Sequence, residues 1–326
     1  MPLPPFTFPG RQIVHALLIH NPISGKPERH DALQRAIGEL HAGGWKLDIR
    51  PTERKGHARE LAEQAARAGY GEIIIVGGDG SIGQAADGIV AAGARDVRLG
   101  VIPLGTGNVF ARDVGLPFPR RHGYHAVVEA ARIIMAGHAT AIDVGLANGR
   151  VFVCWAGCGI DAIVTDLVES RMAFDKRRLP VATYAAALIR QLRRFRPAAM
   201  SVSVDEGEAL GGRFYLTVAS NIALYARYFR LARQARLNDG LLDLIVIDAE
   251  QAPHFFFLVL KLLLLRRLSD ARVTVRQARR LRIETETPLP VHLDGDPAGD
   301  SPFTVEILPR RLPVYLDRHR AAPRLV

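Results

Sequence analysis

The chain has 326 residues, 48% of them hydrophobic, with 43 Lys and Arg against 33 Asp and Glu for a formal net charge of +10. That length fits two domains better than one, and so much apolar material excludes a largely disordered chain. The basic balance leaves nucleotides, nucleic acid and anionic membranes open as partners, while Cys154 and Cys158, with no second pair, exclude a four-ligand zinc site.

The first residues, Met1-Pro2-Leu3-Pro4-Pro5-Phe6, lack the basic start and apolar run of a signal peptide. A cytoplasmic protein with two reduced, packed thiols is expected. Residues 12–20 read as a buried strand that ends in the turn Asn21-Pro22-Ile23-Ser24-Gly25-Lys26. Residues 29–42 have helical spacing through Leu33, Ile37 and Leu40 and stop at Gly43-Gly44. Residues 45–50 alternate like a strand, Thr52 follows, and a helix starts near Gly56.

Ile73-Ile74-Ile75-Val76 is β-branched throughout, the pattern of a strand buried on both faces of a parallel sheet. It stops in Gly77-Gly78-Asp79-Gly80, followed by Ser81, which can cap a new helix. Residues 99–104 repeat the design, with the turn Gly105-Thr106-Gly107-Asn108 and a helix over 109–115. Glycine lets backbone N–H groups approach a ligand closely, and a helix N-terminus behind such a turn favours phosphate. Two such turns at the ends of parallel strands can face one crevice. Asp79 repels phosphate unless a cation sits between them, which points to Mg²⁺. Taken alone, it reads equally as an Asx-type turn.

A helix over 122–138 completes a doubly wound parallel α/β layer. From about residue 139 short β-type runs dominate: 139–146, 151–155, 200–204, 214–220, 242–247, 271–276, 280–285, 289–293 and 303–308. Gly, Asp and Asn turns join several of them, which predicts an antiparallel sandwich with inserted helices. The expected division is an α/β domain over 1–138, a β-sandwich domain over 139–308, and a C-terminal segment over 309–326. One inserted helix, 179–195, is flanked by Arg171, Lys176, Arg177, Arg178, Arg190, Arg193, Arg194 and Arg196. The other, 254–267, is too short for a bilayer span of roughly 20 residues. It is either buried or lies at a membrane surface with Arg266 and Arg267 at its edge. Aromatic residues do not alternate with the basic cluster as a stacking platform needs, so nucleic acid is not an expected partner.

Two acidic turns carry candidate chemistry. Asp294-Gly295-Asp296-Pro297 places paired carboxylates at a strand end, where one can accept a hydroxyl proton, or it simply closes a hairpin. Arg236-Leu237-Asn238-Asp239-Gly240-Leu241-Leu242-Asp243 is the second. No P-loop lysine motif, nucleophile elbow or His-Glu-x-x-His helix occurs.

Gly77 to Ser81, together with Pro103-Leu104-Gly105-Thr106-Gly107-Asn108-Val109-Phe110-Ala111-Arg112, resembles the diacylglycerol kinase catalytic-domain family, which includes bacterial lipid kinases and sphingosine kinases. Its turns usually read Gly-Gly-Asp-Gly-Thr-x-Asn and Gly-Thr-x-Asn-Asp-Phe-Ala-Arg; here Ser81, Gly83 and Val109 replace Thr, Asn and Asp. Five motifs follow in family order from Asn21 to Asp296. The resemblance implies transfer of the γ-phosphate of ATP, with Mg²⁺, to the hydroxyl of a lipid alcohol: diacylglycerol-like, phosphatidylglycerol or a sphingoid base. It implies nucleotide contacts at Asn21, Ser24, Gly25, Thr52, Gly77, Gly78, Asp79, Gly80, Ser81, Gly105, Thr106 and Asn108. Mg²⁺ would take the Asp239 carboxylate and the backbone carbonyls of Arg236 and Leu241. The matching Asp-Gly-Glu motif leaves Asp294 or Asp296 as the base, the latter one methylene short. Asp161, in Ala156-Gly157-Cys158-Gly159-Ile160-Asp161-Ala162, lies near the lipid cleft or in a structural turn. In the resembled family the last segment crosses back, which implies that residues 309–326 return to the first domain. Transient contact with the anionic inner face of a membrane is expected, and a homodimer is compatible. Two other readings stay open: an NAD kinase-like phosphotransferase, which shares the Gly-Gly-Asp-Gly turn, and a non-catalytic nucleotide- or lipid-binding protein, which Val109 and Asp296 motivate.

Overall fold

The computed structural model describes residues 14–22, 27–171, 183, 186–188, 190–191, 195–207, 209–225, 229–248, 252–265 and 270–326. The first part alternates strands and helices: β1 Val14–His20, α1 Pro27–Ala42, β2 Trp45–Pro51, α2 His57–Arg67, β3 Glu72–Gly77, α3 Asp79–Ala91, β4 Arg98–Pro103, α4 Val109–Asp113, α5 Pro119–His122 and α6 His125–Met135. The four strands are parallel in the order β2-β1-β3-β4. All six residues of β3 are buried, as an unbroken β-branched run requires. Its side chains alternate between two cores. Ile74 and Val76 pack with Leu33, Ile37 and Leu40 of α1 and with Val127 and Ile134 of α6. Ile73 and Ile75 pack with Ala58 and Ala62 of α2 and with Ile82 and Ile89 of α3. Helices thus cover both faces, and all four strand ends carrying the turns open on one edge.

The second part is antiparallel: β5 Ala139–Ala147, β6 Arg150–Phe152, β7 Trp155–Gly159, α7 Ile160–Arg171, β8 Ala198–Val204, β9 Leu210–Ser220, β10 Leu224–Tyr225, β11 Phe229–Arg230, β12 Leu242–Asp248, α8 Ala252–Leu265, β13 Val273–Ala278, β14 Arg280–Thr285, β15 Pro290–Leu293, β16 Asp296–Asp300, β17 Phe303–Tyr315 and α9 Arg318–Ala321. β17 pairs antiparallel with β5 and β14, and its Val314 pairs in parallel with Leu99 of β4. This one strand joins the two layers into a mixed sheet.

Several boundaries differ from the sequence reading. The strand expected over 151–155 is broken into β6 and β7, because the amides of residues 153–155 turn aside to a carboxylate described below. The strand expected over 303–308 runs on to Tyr315 through a register shift between Leu308 and Leu312. The helix expected over 122–138 is interrupted at Gly123, whose φ of 70° ends α5, so α6 starts at His125. Most of 179–195 lies outside the described residues; Thr183, residues 186–188, and Arg190 and Gln191 are helical. Lys176, Arg177, Arg178, Arg193, Arg194, Arg266 and Arg267 also lie outside them. α8 is neither wholly buried nor free. Phe255 and Leu258 are buried, and the Phe255 ring stacks on Tyr215 with centroids 4.8 Å apart. Phe256 and Phe257 are 48% and 62% exposed, with Leu260 beside them at 37%. Among the described residues no helix is long and apolar enough to cross a membrane.

Candidate active site

The crevice at the parallel strand ends is built from backbone. Thr52 donates its N–H to the carbonyl of His20, 2.8 Å away, which sets Thr52 beside Asn21 at the ends of β2 and β1. Ser24 and Gly25 lie outside the described residues. Gly77 O accepts the N–H groups of Leu104 and Gly105 at 2.9 and 3.1 Å, so the two glycine-rich turns are stitched together. They touch at Gly78 and Gly105: a side chain on Gly105 would begin 2.3 Å from Gly78 Cα. Only glycine permits that approach.

Ser81 does not cap α3. The helix begins at Asp79, its N-cap is Gly78, and no side chain caps it. Ser81 instead folds back over the turn, its Oγ 2.7 Å from where a Gly77 side chain would start. Asp79 Oδ1 accepts the Phe110 N–H at 2.9 Å, so the acid of the first turn holds the helix that follows the second. Gly107 leaves room for its other oxygen, since a Cβ there would lie 2.8 Å from Asp79 Oδ2. Thr106 is exposed at the tip. Asn108 is left-handed, with φ 50°, and its Nδ2 donates to Gly105 O at 2.9 Å. Its Oδ1 is buried and has no hydrogen-bond partner, an acceptor 2.9 Å from where a Gly105 side chain would start. Val109, where the family has an acid, is packed in the core.

The Asp294-Gly295-Asp296 turn hangs over α3 from the second part. Asp294 Oδ1 accepts the N–H groups of Cys154 and Trp155 at 2.8 and 3.0 Å, and Oδ2 accepts that of Val153 at 2.8 Å. Burial pushes this carboxyl up to about 7; the three amides pull it down and nearby Asp79 pushes it further up. A side chain on Gly83 would begin 2.6 Å from Asp294 Oδ2, which accounts for glycine where the family has Asn. Asp296 is placed differently. Its Oδ2 accepts from Gln84 Nε2 at 3.1 Å, and its Oδ1 pairs with Lys55 Nζ at 3.1 Å. A side chain on Gly80 would lie 3.7 Å from Asp296 Oδ2. Asp294 therefore serves its own backbone, whereas Asp296 faces the phosphate-type turn. Burial raises both thiols, Cys154 strongly and Cys158 to about 12, so neither is a nucleophile at neutral pH.

A second acidic group lies where β5, β12 and β17 meet. Asp143 accepts the N–H groups of Gly240 and Arg310, each at 2.6 Å. Asp239 Oδ1 accepts the Leu241 N–H at 3.0 Å. Asp243 is 1% exposed and its Oδ1 has no hydrogen-bond partner. Burial raises all three carboxyls, Asp243 to about 7 with help from Asp239. No ion pair among the described residues neutralises them. No three His, Cys, Asp or Glu side chains among those residues converge to hold a metal by themselves. One or two carboxylates with backbone carbonyls is a donor set that fits Mg²⁺, which keeps several waters. The orphaned Asp243 oxygen supports a cation nearby.

Asp161, at the start of α7, is fully engaged. Its Oδ2 accepts from Tyr225 OH at 2.6 Å and His292 Nε2 at 2.8 Å, and its Oδ1 accepts the Ala162 N–H at 2.8 Å. Gly157 makes room, because a Cβ there would lie 2.4 Å from both Asp161 Oδ2 and His292 Nε2. Sequence reasoning missed four residues here: Lys55, Gln84, Tyr225 and His292. Gln84 had a signal, since it sits one helical turn after Gly80 on the same face. The others meet their partners only through tertiary structure.

The family model described as Diacylglycerol kinase catalytic domain matches residues 15–147, and the one described as YegS C-terminal NAD kinase beta sandwich-like domain matches 155–316. The chain is 28% identical to a diacylglycerol kinase of Bacillus subtilis (strain 168) over 306 residues, 94% of this chain and 97% of that one. It is 27% identical to a diacylglycerol kinase of Staphylococcus aureus (strain MRSA252) over 304 residues, 92% of this chain and 91% of that one. A solved structure of a diacylglycerol kinase from Bacillus anthracis str. Sterne shares the fold, with a TM-score of 0.71 and 21% identity over 95% of this chain and 99% of that one.

Proposed function

The chain belongs to the diacylglycerol kinase catalytic-domain family and is a lipid kinase, and from that premise we propose that it uses ATP and Mg²⁺ to phosphorylate a lipid alcohol, with Asp296 taking the hydroxyl proton. ATP lies along the strand ends, its phosphates against Asn21, Thr52 and the turns at 77–81 and 105–108. The α3 N-terminus offers N–H groups and a positive dipole end to the terminal phosphate. The lipid enters from the second domain. Its hydroxyl oxygen attacks the γ-phosphorus, the bond from that phosphorus to the ADP oxygen breaks, and the proton passes to Asp296. Asp294 is a positioning residue that fixes the turn bearing Asp296. Mg²⁺ beside Asp79 would screen phosphate charge; a Mg²⁺ held by Asp239 with the carbonyls of Arg236 and Leu241 would neutralise the separate acidic group that includes the unpartnered Asp243 oxygen.

The observation that carries this reading is Asp296, borne on the second domain yet held by Gln84 and Lys55 of the first beside Gly80. The exposed aromatic face of α8 supports transient docking on an anionic membrane as the route to a lipid substrate. NAD, a soluble substrate, calls for no such face. The test is incubation of purified protein with ATP, Mg²⁺ and a panel of diacylglycerol, phosphatidylglycerol and sphingosine. A phosphorylated lipid is expected; a wide panel without product would count against the reading.

A further inference from the structure

The ion pair between Lys55 and Asp296 crosses from one domain to the other. Lys55 stands in the loop between β2 and α2, just before Gly56, whose φ of 84° turns the chain into the helix. Its neighbour Arg54 is committed elsewhere, with two hydrogen bonds to Glu60. Lys55 reaches Asp296 Oδ1 at 3.1 Å, while Asp296 Oδ2 lies beside Gly80. Among the described residues, Lys55 is the cation that pairs with this carboxylate.

Phosphoryl transfer creates a charge problem at this point. The base and the transferred phosphoryl group must approach one hydroxyl from two sides, and both are anions. Asp79 adds a third negative group at the same crevice. A lysine ammonium has three donors on a flexible stem, so it can hold a carboxylate and a phosphoryl oxygen together. Resting on the conclusion that Asp296 is the base, we propose that Lys55 is a phosphate-contacting residue, bridging Asp296 and the γ-phosphate of ATP. It recognises the terminal phosphate, not the nucleoside, and it brings the base of one domain to the phosphate of the other. In the free protein the same ammonium rests on Asp296.

The bland reading of a Lys that is 60% exposed is a surface ion pair of little consequence. The two readings differ in what nucleotide binding shows. Titration calorimetry of the full chain with ATP and with ADP, both with Mg²⁺, would compare wild type with Lys55→Met and Lys55→Arg. Loss of one charge-assisted contact should weaken ATP binding about tenfold in Lys55→Met and leave ADP binding unchanged. Lys55→Arg should keep most of the ATP preference. In lipid phosphorylation, kcat of Lys55→Met should fall while KM for the lipid holds. A Lys55→Met protein that keeps the wild-type ratio of ATP to ADP affinity, in a preparation whose wild type phosphorylates lipid, would overturn the proposal and leave the kinase reading standing. A wild type that binds neither nucleotide would overturn both.

Discussion

Gln84 and Asp296 are separated by 212 positions in the chain, and Gln84 Nε2 donates to Asp296 Oδ2 at 3.1 Å. The donor belongs to α3, which grows out of the glycine turn at 77–80; the acceptor starts β16. The bond fixes the candidate base relative to the phosphate-type turn. Replacing Gln84 by Leu keeps the volume and removes the donor. A misplacement of about 1 Å can cost a reaction about a hundredfold, so loosening the candidate base should lower kcat at least about tenfold. Tm should barely move, because both side chains are only partly buried. Steady-state kinetics and a thermal melt check both halves.

The two acids of the Asp294-Gly295-Asp296 turn should separate cleanly. Asp296→Asn should lose about 10²- to 10⁴-fold in kcat, the usual contribution of a general base, with a near wild-type melt. Asp294→Asn should act first on stability. Its side chain satisfies three amides in a half-buried site, and an Asn would set an NH₂ group against at least one of them. A loss of about 1–3 kcal/mol per misplaced group is expected. Chemical denaturation of the two variants, beside their kcat values, tests the division of labour.

Glycines test the stitched turns. Gly105→Ala would push its Cβ to 2.3 Å from Gly78 Cα, backbone against backbone, and must part the two turns. ATP affinity should drop by at least about tenfold, since the amides proposed to hold phosphate are displaced. Gly38→Ala is the contrast. It lies on the exposed face of α1 with nothing within 4 Å of the new methyl. That change should stabilise the protein by about 0.4–1 kcal/mol and leave nucleotide binding alone.

How far the sequence could be read follows from which interactions are local. The run Ile73–Val76 announced a strand buried on both faces because β-branched residues without polar alternation have few other uses. The paired glycine turns were legible for the same reason: close backbone approach needs glycine wherever it happens. What could not be read were contacts made at long range. The break after Phe152 is set by Asp294, from the far end of the chain, and no local residue marks it. Ser81 looked like a cap, but the helix has already begun at Asp79 and the Ser81 side chain lies over Gly77. α8 had an apolar run without a clear polar stripe, so periodicity could not tell which rings would find Tyr215 and which would face out.

Those outward rings give a membrane prediction. Phe256 and Phe257 are 48% and 62% exposed, too open to hold much of the fold together. Changing both to Ser should leave the melt unchanged and reduce sedimentation with phosphatidylglycerol vesicles. Activity on a short-chain lipid dispersed in detergent should persist. Equal vesicle binding by the double variant would remove α8 from the docking face.

Stability should fall as pH rises toward neutrality. Burial holds Asp243 and Asp294 each at about 7, and raises Asp113, Asp143, Asp239 and Glu72 in the same direction. An unfolded aspartate releases its proton near about 3.9. Between those values the native protein keeps protons that the unfolded chain gives up, so the stability these groups confer is full below about pH 4 and is lost as the pH passes through 7. In EDTA the melt should therefore occur at a lower temperature at about pH 8 than at about pH 5.5. Mg²⁺ should reverse this on the alkaline side alone, because ionised Asp239 and Asp243 attract the cation and protonated ones do not. Asp239→Asn should abolish the Mg²⁺ effect. A shift of equal size at both pH values, or one that survives in Asp239→Asn, would place any bound Mg²⁺ away from these carboxylates.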